Sequence, residues 1–450
     1  MRPYPAYKDS GVDWLGAVPE GWEISTLKHI VSTPITDGPH ETPAFLDEGV
    51  PFVSAEAVSS GKINFDSIRG HISPEDHARY SLKYAPKRND IFMIKSGATT
   101  GVTAIVETDV DFNIWSPLAA VRCGSSVHPY FVLNFMRSQN FFEAVKLGWN
   151  FGTQQNIGMG VIENLNICIP PLSEQQAIAR FLDKEVAKID ALVAEQRRLI
   201  ALLAEKRQAV ISHAVTKGLN PATPLKPSGI DWLGDIPEGW EVVHLRRAFR
   251  STDYGISDSL EPDGQVAVLR MGNISDGRVW LHDLKFIDSV PDDLFVEPGD
   301  LLFNRTNSLE LIGKVGLYLG GSELPVSFAS YLVRLRLETG HLPTYFAYLL
   351  NTPMILGEAR SRALVAIGQC NLNPSRYSEI RVPIPPPEEQ DRIVAYLDAQ
   401  TAQFDALTAA ATSAISLLQE RRAALISAAV TGKIDLRPHF AQSLSEPETA

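Results

Sequence analysis

Residues 10–23 read SGVDWLGAVPEGWE and residues 228–241 read SGIDWLGDIPEGWE, so nearly the same fourteen positions open two halves of one 450-residue chain. Matching the halves extends the repeat. Trp22 pairs with Trp240 at an offset of 218, whereas IPPLSEQQ at 169–176 pairs with IPPPEEQD at 384–391 at an offset of 215, which persists through ISHAVT at 211–216 and ISAAVT at 426–431. Each half is a variable block followed by a shared block, and the two halves descend from one unit.

The shared blocks dictate helices. Residues 173–217 and 388–431 contain neither Pro nor Gly, and each follows a Pro-rich stop, so the backbone has no breaker for some 45 residues, or roughly 65 Å of helix. Ser173 and Gln176 suit a capping box, and Pro387, Glu388 and Glu389 suit a first turn. Apolar residues step by four and three: Ile178, Leu182, Ile189, Leu192, Leu199, Leu203 and Val210 in the first helix, and Ile393, Leu397, Phe404, Leu407, Leu418 and Leu425 in the second. Glu185, Gln196 and Lys206 interrupt the first seam, and two of these recur as Gln400 and Arg421. Such a stripe is a coiled-coil seam, and two helices with matching stripes are most simply each other's antiparallel partner.

The variable blocks mix β-rich runs (VPFVSA, DIFMIKSG and TAIVE; VAVLRM, DLLFNR, VGLYL and SYLVRLRL) with helical stretches at 128–147 and 342–361. This predicts an α+β fold: two homologous mixed heads separated by a pair of long antiparallel coiled-coil helices, with a pseudo-twofold internal repeat. The expected boundaries are 1–171 for the first head, 172–217 for its helix, 218–229 for a linker, 230–386 for the second head and 387–434 for its helix. Residues 435–450 are expected to form a disordered polar tail. The twin motifs carry Trp14, Trp22, Trp232 and Trp240, which are expected to pack as clasps fastening the incoming chain rather than to stack on bases.

Composition narrows the function classes. There is no apolar run of membrane-spanning length and no signal-peptide pattern at the start, so the chain is expected in the cytoplasm. Cys123, Cys168 and Cys370 fit neither a disulfide framework nor a metal knuckle. SGATTGVT at 96–103 lacks the GK[ST] of a phosphate loop, AEKR at 204–207 lies on a helix as a solvated charge run, and the ten histidines show no HExxH spacing. No catalytic constellation emerges and no metal site is expected.

Against that background the PEGW openings, GDLLFNRTNSLELIGKVG from Gly299, IGQCNLNPSRYSEIRVPIPPPEEQDRIVAYLD and its counterpart TQQNIGMGVIENLNICIPPLSEQQAIARFLD carry a resemblance. The chain resembles the specificity subunit of type I restriction-modification systems over nearly its whole length, in that family's order of target-recognition domain, spacer helix, target-recognition domain, spacer helix. The resemblance implies a non-catalytic subunit that reads a split sequence in double-stranded DNA, one part per head. Two methyltransferase subunits and ATP-dependent restriction subunits would join it, with S-adenosylmethionine, ATP and Mg on those partners and no cofactor on this chain. A coiled-coil protein scaffold without a nucleic-acid role is the alternative, and a head with an active site that motif reading misses is another.

Charge complicates the DNA reading. The chain carries a net charge of −12; residues 1–170 hold 13 Lys plus Arg against 18 Asp plus Glu, and residues 240–385 hold 14 against 17. A free-standing DNA binder usually has a basic excess. Positive charge must therefore be gathered on one face, with partner subunits supplying other phosphate contacts, which predicts weak binding alone and strong binding in complex. Positions alike in both heads suit backbone contacts: Lys95 with Arg305, Gln154 with Gln369, and Asn156 with Asn371. Divergent positions suit base readout: Ser54, Thr99, Thr100 and Gln155 in the first head, and Arg270, Asn273, Asn304 and Asn307 in the second. Arg bridges guanine O6 and N7, while Asn and Gln bridge adenine N6 and N7.

Overall fold

The prolines at 170–171 and 385–386 release the backbone into helices Leu172–Lys217 and Pro387–Val430. The structure, a computed structural model, describes residues 2–151, 155–366 and 368–437; most of the expected tail, 438–450, and Gln154 lie outside the described residues. Two units emerge, Met1–Gln196 with Ser413–Ala450, and Arg197–Thr412. Each contains one head and a segment of both long helices.

In the first unit the central sheet is antiparallel, in the order Thr36–Asp37, Leu118–Val121, Ile91–Ile94, Thr103–Ile105. A smaller sheet sets Val50–Val53 between His71–Ile72, antiparallel, and Asn113–Ile114, parallel. The second unit repeats both designs. Phe249–Tyr254, Leu332–Leu337, Leu301–Asn304 and Val315–Leu317 are antiparallel neighbours, extended by Arg278–Val279 and Ile274–Ser275, and Val266–Leu269 lies between Lys285–Ile287 and Val326–Phe328. Runs such as Ile91–Ile94 and Leu301–Asn304 are wholly buried, which is why they read as unbroken apolar segments. The expected helical stretches each divide in two, at Ser138, whose hydroxyl caps Gln139–Leu147, and at Thr352, which precedes Pro353–Arg362. The α+β class and the internal repeat stand as expected.

Head and helix are joined in the same way in both units. The Gln175 amide accepts from His128 N at 2.8 Å and donates to Pro170 O at 2.9 Å; Gln390 accepts from Leu342 N at 2.8 Å and donates to Pro385 O at 3.1 Å. Both glutamines are buried, and each satisfies one part-buried N–H and one buried carbonyl of the backbone; Gln175 also donates to Ser126 O at 3.3 Å. The first helix begins at Leu172, which places Ser173 inside its first turn. The expected capping box with Gln176 therefore gives way to Gln175 folding back on Pro170. Past the helix C-termini, Gly218 and Gly432 adopt φ of +74° and +71° and pack under Trp240 and Trp22, a left-handed C-cap that favours glycine. Trp22 and Trp240 are 1% exposed and Trp14 and Trp232 half-buried, so the motif is a packed clasp. Lys433 Nζ donates to Ala17 O at 2.7 Å, and Lys217 Nζ donates to Asp235 O. The clasp strands pair as short hairpins, Tyr7–Asp9 with Ala17–Pro19 and Leu225–Pro227 with Asp235–Pro237. The second of these begins inside the expected linker, and at the other end Asp435 bridges Arg2 and Leu436 is buried.

The helix segments run antiparallel within each unit. Ile178 and Leu182 share a core with Ile426, Ala429 and Val430 in the first, and Ile211 and Ala214 share one with Ile393 and Leu397 in the second. The expected seam residues divide by exposure. Ile178, Leu182, Ile189, Leu203, Ile393, Leu397 and Phe404 are buried, and Val210, Leu418 and Leu425 are half-buried, but Leu192, Leu199 and Leu407 are 51%, 41% and 51% exposed. One residue on, Val193 is buried and Ile200 and Thr408 half-buried. A four-three stripe can alternate in two phases, and at these three places the chain takes the one that brings a β-branched residue to the seam. Arg207 and Arg422, rather than Lys206 and Arg421, are the recurring polar members. Arg422 Nε lies 2.9 Å from Asp190 in the first unit and Arg207 pairs with Asp405 in the second, the same bridge under the 215-residue repeat.

Candidate nucleic-acid interface

Strand Ile91–Ile94 runs out into Lys95, and strand Leu301–Asn304 runs out into Arg305. The backbone gives the two cations the same setting. Lys95 N donates to Pro117 O at 2.8 Å and its carbonyl accepts from Ile157 N at 2.9 Å; Arg305 N donates to Tyr331 O at 3.1 Å and its carbonyl accepts from Leu372 N at 2.7 Å. A hairpin supplies the second partner in each case, Trp149–Phe151 with Gln155–Ile157, and Leu364–Ala366 with Gln369–Asn371. Lys95 and Arg305 are thus equivalent in space as well as in sequence.

What each cation meets is different. Asp37 stands opposite Ala119, itself opposite Met93; Tyr254 stands opposite Val333, itself opposite Phe303. The next residues, Gly38 and Gly255, confirm the match: a Cβ would come within 1.9 Å of Ile114 O at the first and 2.2 Å of Phe328 O at the second. Asp37 and Tyr254 therefore occupy one place in two copies of the fold. In the first head Lys95 Nζ is 2.8 Å from Asp37 and only 13% exposed, with Lys83 at 2.6 Å and His40 at 3.1 Å from the same carboxylate. Burial pushes the Asp37 carboxyl up, but hydrogen bonds from Lys83 and Lys95 outweigh it and hold the group below the usual carboxylate range. In the second head the Arg305 guanidinium carbon lies 4.9 Å from the centre of the Tyr254 ring. Its Nη atoms reach Ser330 O at 3.3 Å and Asn371 Oδ1 at 3.4 Å, both long, and its Nε is buried without a partner among the described residues. Among the described residues, no carboxylate lies within ion-pair distance of it.

The remaining candidates divide by exposure. Gln155, Asn156 and Gln369 are exposed on the two hairpins beside the cations. Asn371 is half-buried and donates to Thr306 Oγ1 at 3.0 Å; Asn307 is half-buried and accepts from Ser308 N at 2.8 Å; Thr99 is half-buried in the turn after Lys95. Four choices are corrected. Thr100 is buried and donates to Gly97 O at 2.7 Å, so its hydroxyl closes a turn. Asn273 is buried and bonds Arg270 N, Trp280 O and His282 O, leaving nothing to offer a base. Ser54 is buried before helix Ala55–Val58, and Asn304 is 1% exposed within the central sheet. Arg270 is held by Asp283, with Nη2 at 2.5 Å from the carbonyl and 3.1 Å from the carboxylate, and so is partly committed. Tyr254 and Tyr331, each 47% exposed beside Arg305, were missed. The signal for Tyr254 was DYG at 253–255 set against TDG at 36–38.

Much of the remaining charge is consumed internally. Asp90 takes Arg122 and Asp300 takes Arg336, both as bidentate pairs and both equivalent under the repeat. Arg334, 3% exposed, pairs with Asp253. No group of three or more metal-ligating side chains gathers among the described residues, and no described helix is long and apolar enough to cross a membrane.

Known proteins match this architecture. The family described as the type I restriction modification DNA specificity domain matches residues 19–200 and again 237–416. The chain is similar to the type I restriction enzyme EcoKI specificity subunit of Escherichia coli K12, with 24% identity over 93% of this chain and 90% of that one, and to the StySPI specificity subunit of Salmonella potsdam at the same identity and coverage. Among solved structures, the HsdS subunit from Thermoanaerobacter tengcongensis superposes with a TM-score of 0.51 and 18% identity, covering 93% of this chain and 98% of that one. A chain from a study of complex assembly and conformational transition of the type I R-M system superposes at 0.65 with 19% identity, covering 93% and 99%.

Proposed function

Because the chain belongs to the family of the type I restriction modification DNA specificity domain, with two copies at 19–200 and 237–416, we propose that it is the sequence-reading subunit of such a system. Each head reads one part of a split asymmetric sequence in double-stranded DNA. The observation that carries this is the pattern of likeness: the junction residues Gln175 and Gln390 are alike in identity and in the N–H and the proline carbonyl they bond, while the sheet-end positions Asp37 and Tyr254 are not. A duplicated reader needs a common mount and different contacts. The relatives are named as specificity subunits of restriction enzymes, which supports a role without catalysis of its own. Two methyltransferase subunits and ATP-dependent restriction subunits are the partners, and S-adenosylmethionine, ATP and Mg belong to them. The acidic balance of the heads fits an assembly in which partners supply part of the phosphate contact. Confinement to the cytoplasm follows from that role.

The test is single-molecule sequencing of adenine methylation in the source strain with and without this gene. A split motif that disappears on deletion is the expected result. An unchanged methylome, in a strain where the chain co-purifies with an active methyltransferase, would overturn it.

A further inference from the structure

We propose that the second head carries a preset DNA contact built from Tyr254 and Arg305, and that the corresponding cation of the first head, Lys95, is withdrawn from DNA by Asp37. The inference rests on the DNA reading above and goes beyond it in assigning unequal electrostatic roles to two equivalent positions. A guanidinium offers five N–H donors in a planar fork. Arg305 makes two long contacts, lies over an aromatic ring and, among the described residues, meets no carboxylate, in a head with an acidic excess. Its neighbours Arg334 and Arg336 are by contrast locked onto Asp253 and Asp300. Tyr254, 47% exposed, adds little to the core; what it supplies is a flat surface that limits the rotamers of Arg305 without neutralising it. Tyr331 and Asn371 flank the group by way of the backbone and side-chain bonds given above. The ligand that fits is a pair of adjacent acceptors on DNA, either O6 and N7 of guanine or two phosphate oxygens. At the equivalent place Asp37 occupies the ammonium of Lys95, which is 13% exposed, so the first head offers no free cationic fork at that position. Tyr254 is a positioning residue and Arg305 the contact.

The experiment uses the full chain purified with its methyltransferase partner and fluorescent duplexes that carry the strain's methylated motif, each variant at that motif and at every single base change, over a salt series. The wild-type assembly is the control: absence of binding there defeats the DNA reading itself, and this proposal with it. With binding established, Arg305→Ala is expected to weaken it about 5- to 150-fold, the range of one bidentate contact. Tyr254→Ala is expected to give a smaller loss and Tyr254→Phe almost none, and the double variant to lose no more than Arg305→Ala alone. Relaxed preference at one base pair assigns the contact to guanine. A uniform loss with the salt slope reduced by about one assigns it to phosphate. Asp37→Asn is expected to steepen the salt slope by releasing Lys95. Melting temperatures accompany each variant, so that a loss tracking instability is separated from a lost contact. Unchanged affinity and slope in folded Arg305→Ala, or additive losses for Tyr254 and Arg305, would overturn the proposal.

Discussion

At the second head–helix junction the Trp240 indole donates to Glu389 at 2.9 Å; at the first, the equally buried Trp22 indole N–H has no partner among the described residues, because the equivalent Glu174 takes the hydroxyl of Tyr4. The sequence around the two tryptophans is nearly a copy, yet the bonding is not. Tyr4 has Ala222 as its counterpart under the 218 offset, so only the first half brings a competing donor to the carboxylate. Duplication preserves the shape of a junction more faithfully than its hydrogen bonds, and the same holds at the sheet ends, where one backbone setting holds Lys95 against Asp37 and Arg305 against Tyr254.

The comparison can be broken at several points. The largest effect is expected from Gly432→Ala, whose Cβ would sit 2.3 Å from the Pro19 ring, whereas at Gly218 it meets the movable end of Glu389 at 3.0 Å. Both changes force a left-handed residue, about 1–2 kcal/mol, and overlap with Pro19 adds about 1–3 kcal/mol at Gly432 alone. Equal losses in chemical denaturation would show that the junctions are more alike than the geometry allows. Next, Gln175→Ala and Gln390→Ala strand three and two backbone groups of their junctions, a buried proline carbonyl in each, and should cost about 2–3 kcal/mol apiece. A neutral result at either would break the claim of a common mount. Trp240→Phe should then cost about 1.5 kcal/mol more than Trp22→Phe, since only the former removes a hydrogen bond to a charged group; a larger loss at Trp22 would contradict the bonding described. Smallest of all, Arg207→Ala and Arg422→Ala break half-exposed ion pairs and should each cost about 0.2–1 kcal/mol, equally in the two units.

The repeat, the two long helices and the buried strands were legible because each writes a period or a breaker into the sequence. The seam was legible only to within its phase: Leu192 and Leu407 outrank Val193 and Thr408 in hydrophobicity, but a partner helix selects by position, and leucines just off the line remain exposed. The site was less legible still. Asn273 and Thr100 have the chemistry of base readers, but short turns spend the same donors and acceptors on the backbone, and nothing in a residue's identity says which use prevails. Tyr254 acquires meaning only once strand pairing sets it opposite Val333 and beside Arg305, a relation across 51 residues that no local pattern reveals.

The central claim is that the two heads read separate parts of one DNA sequence. Its most direct test is to replace residues 240–384 with the corresponding second head of a relative of different specificity, and to sequence adenine methylation in the strain that carries the exchange. The account predicts a motif in which one part changes and the other is retained. A motif altered in both parts, or unaltered in an active assembly, would contradict it.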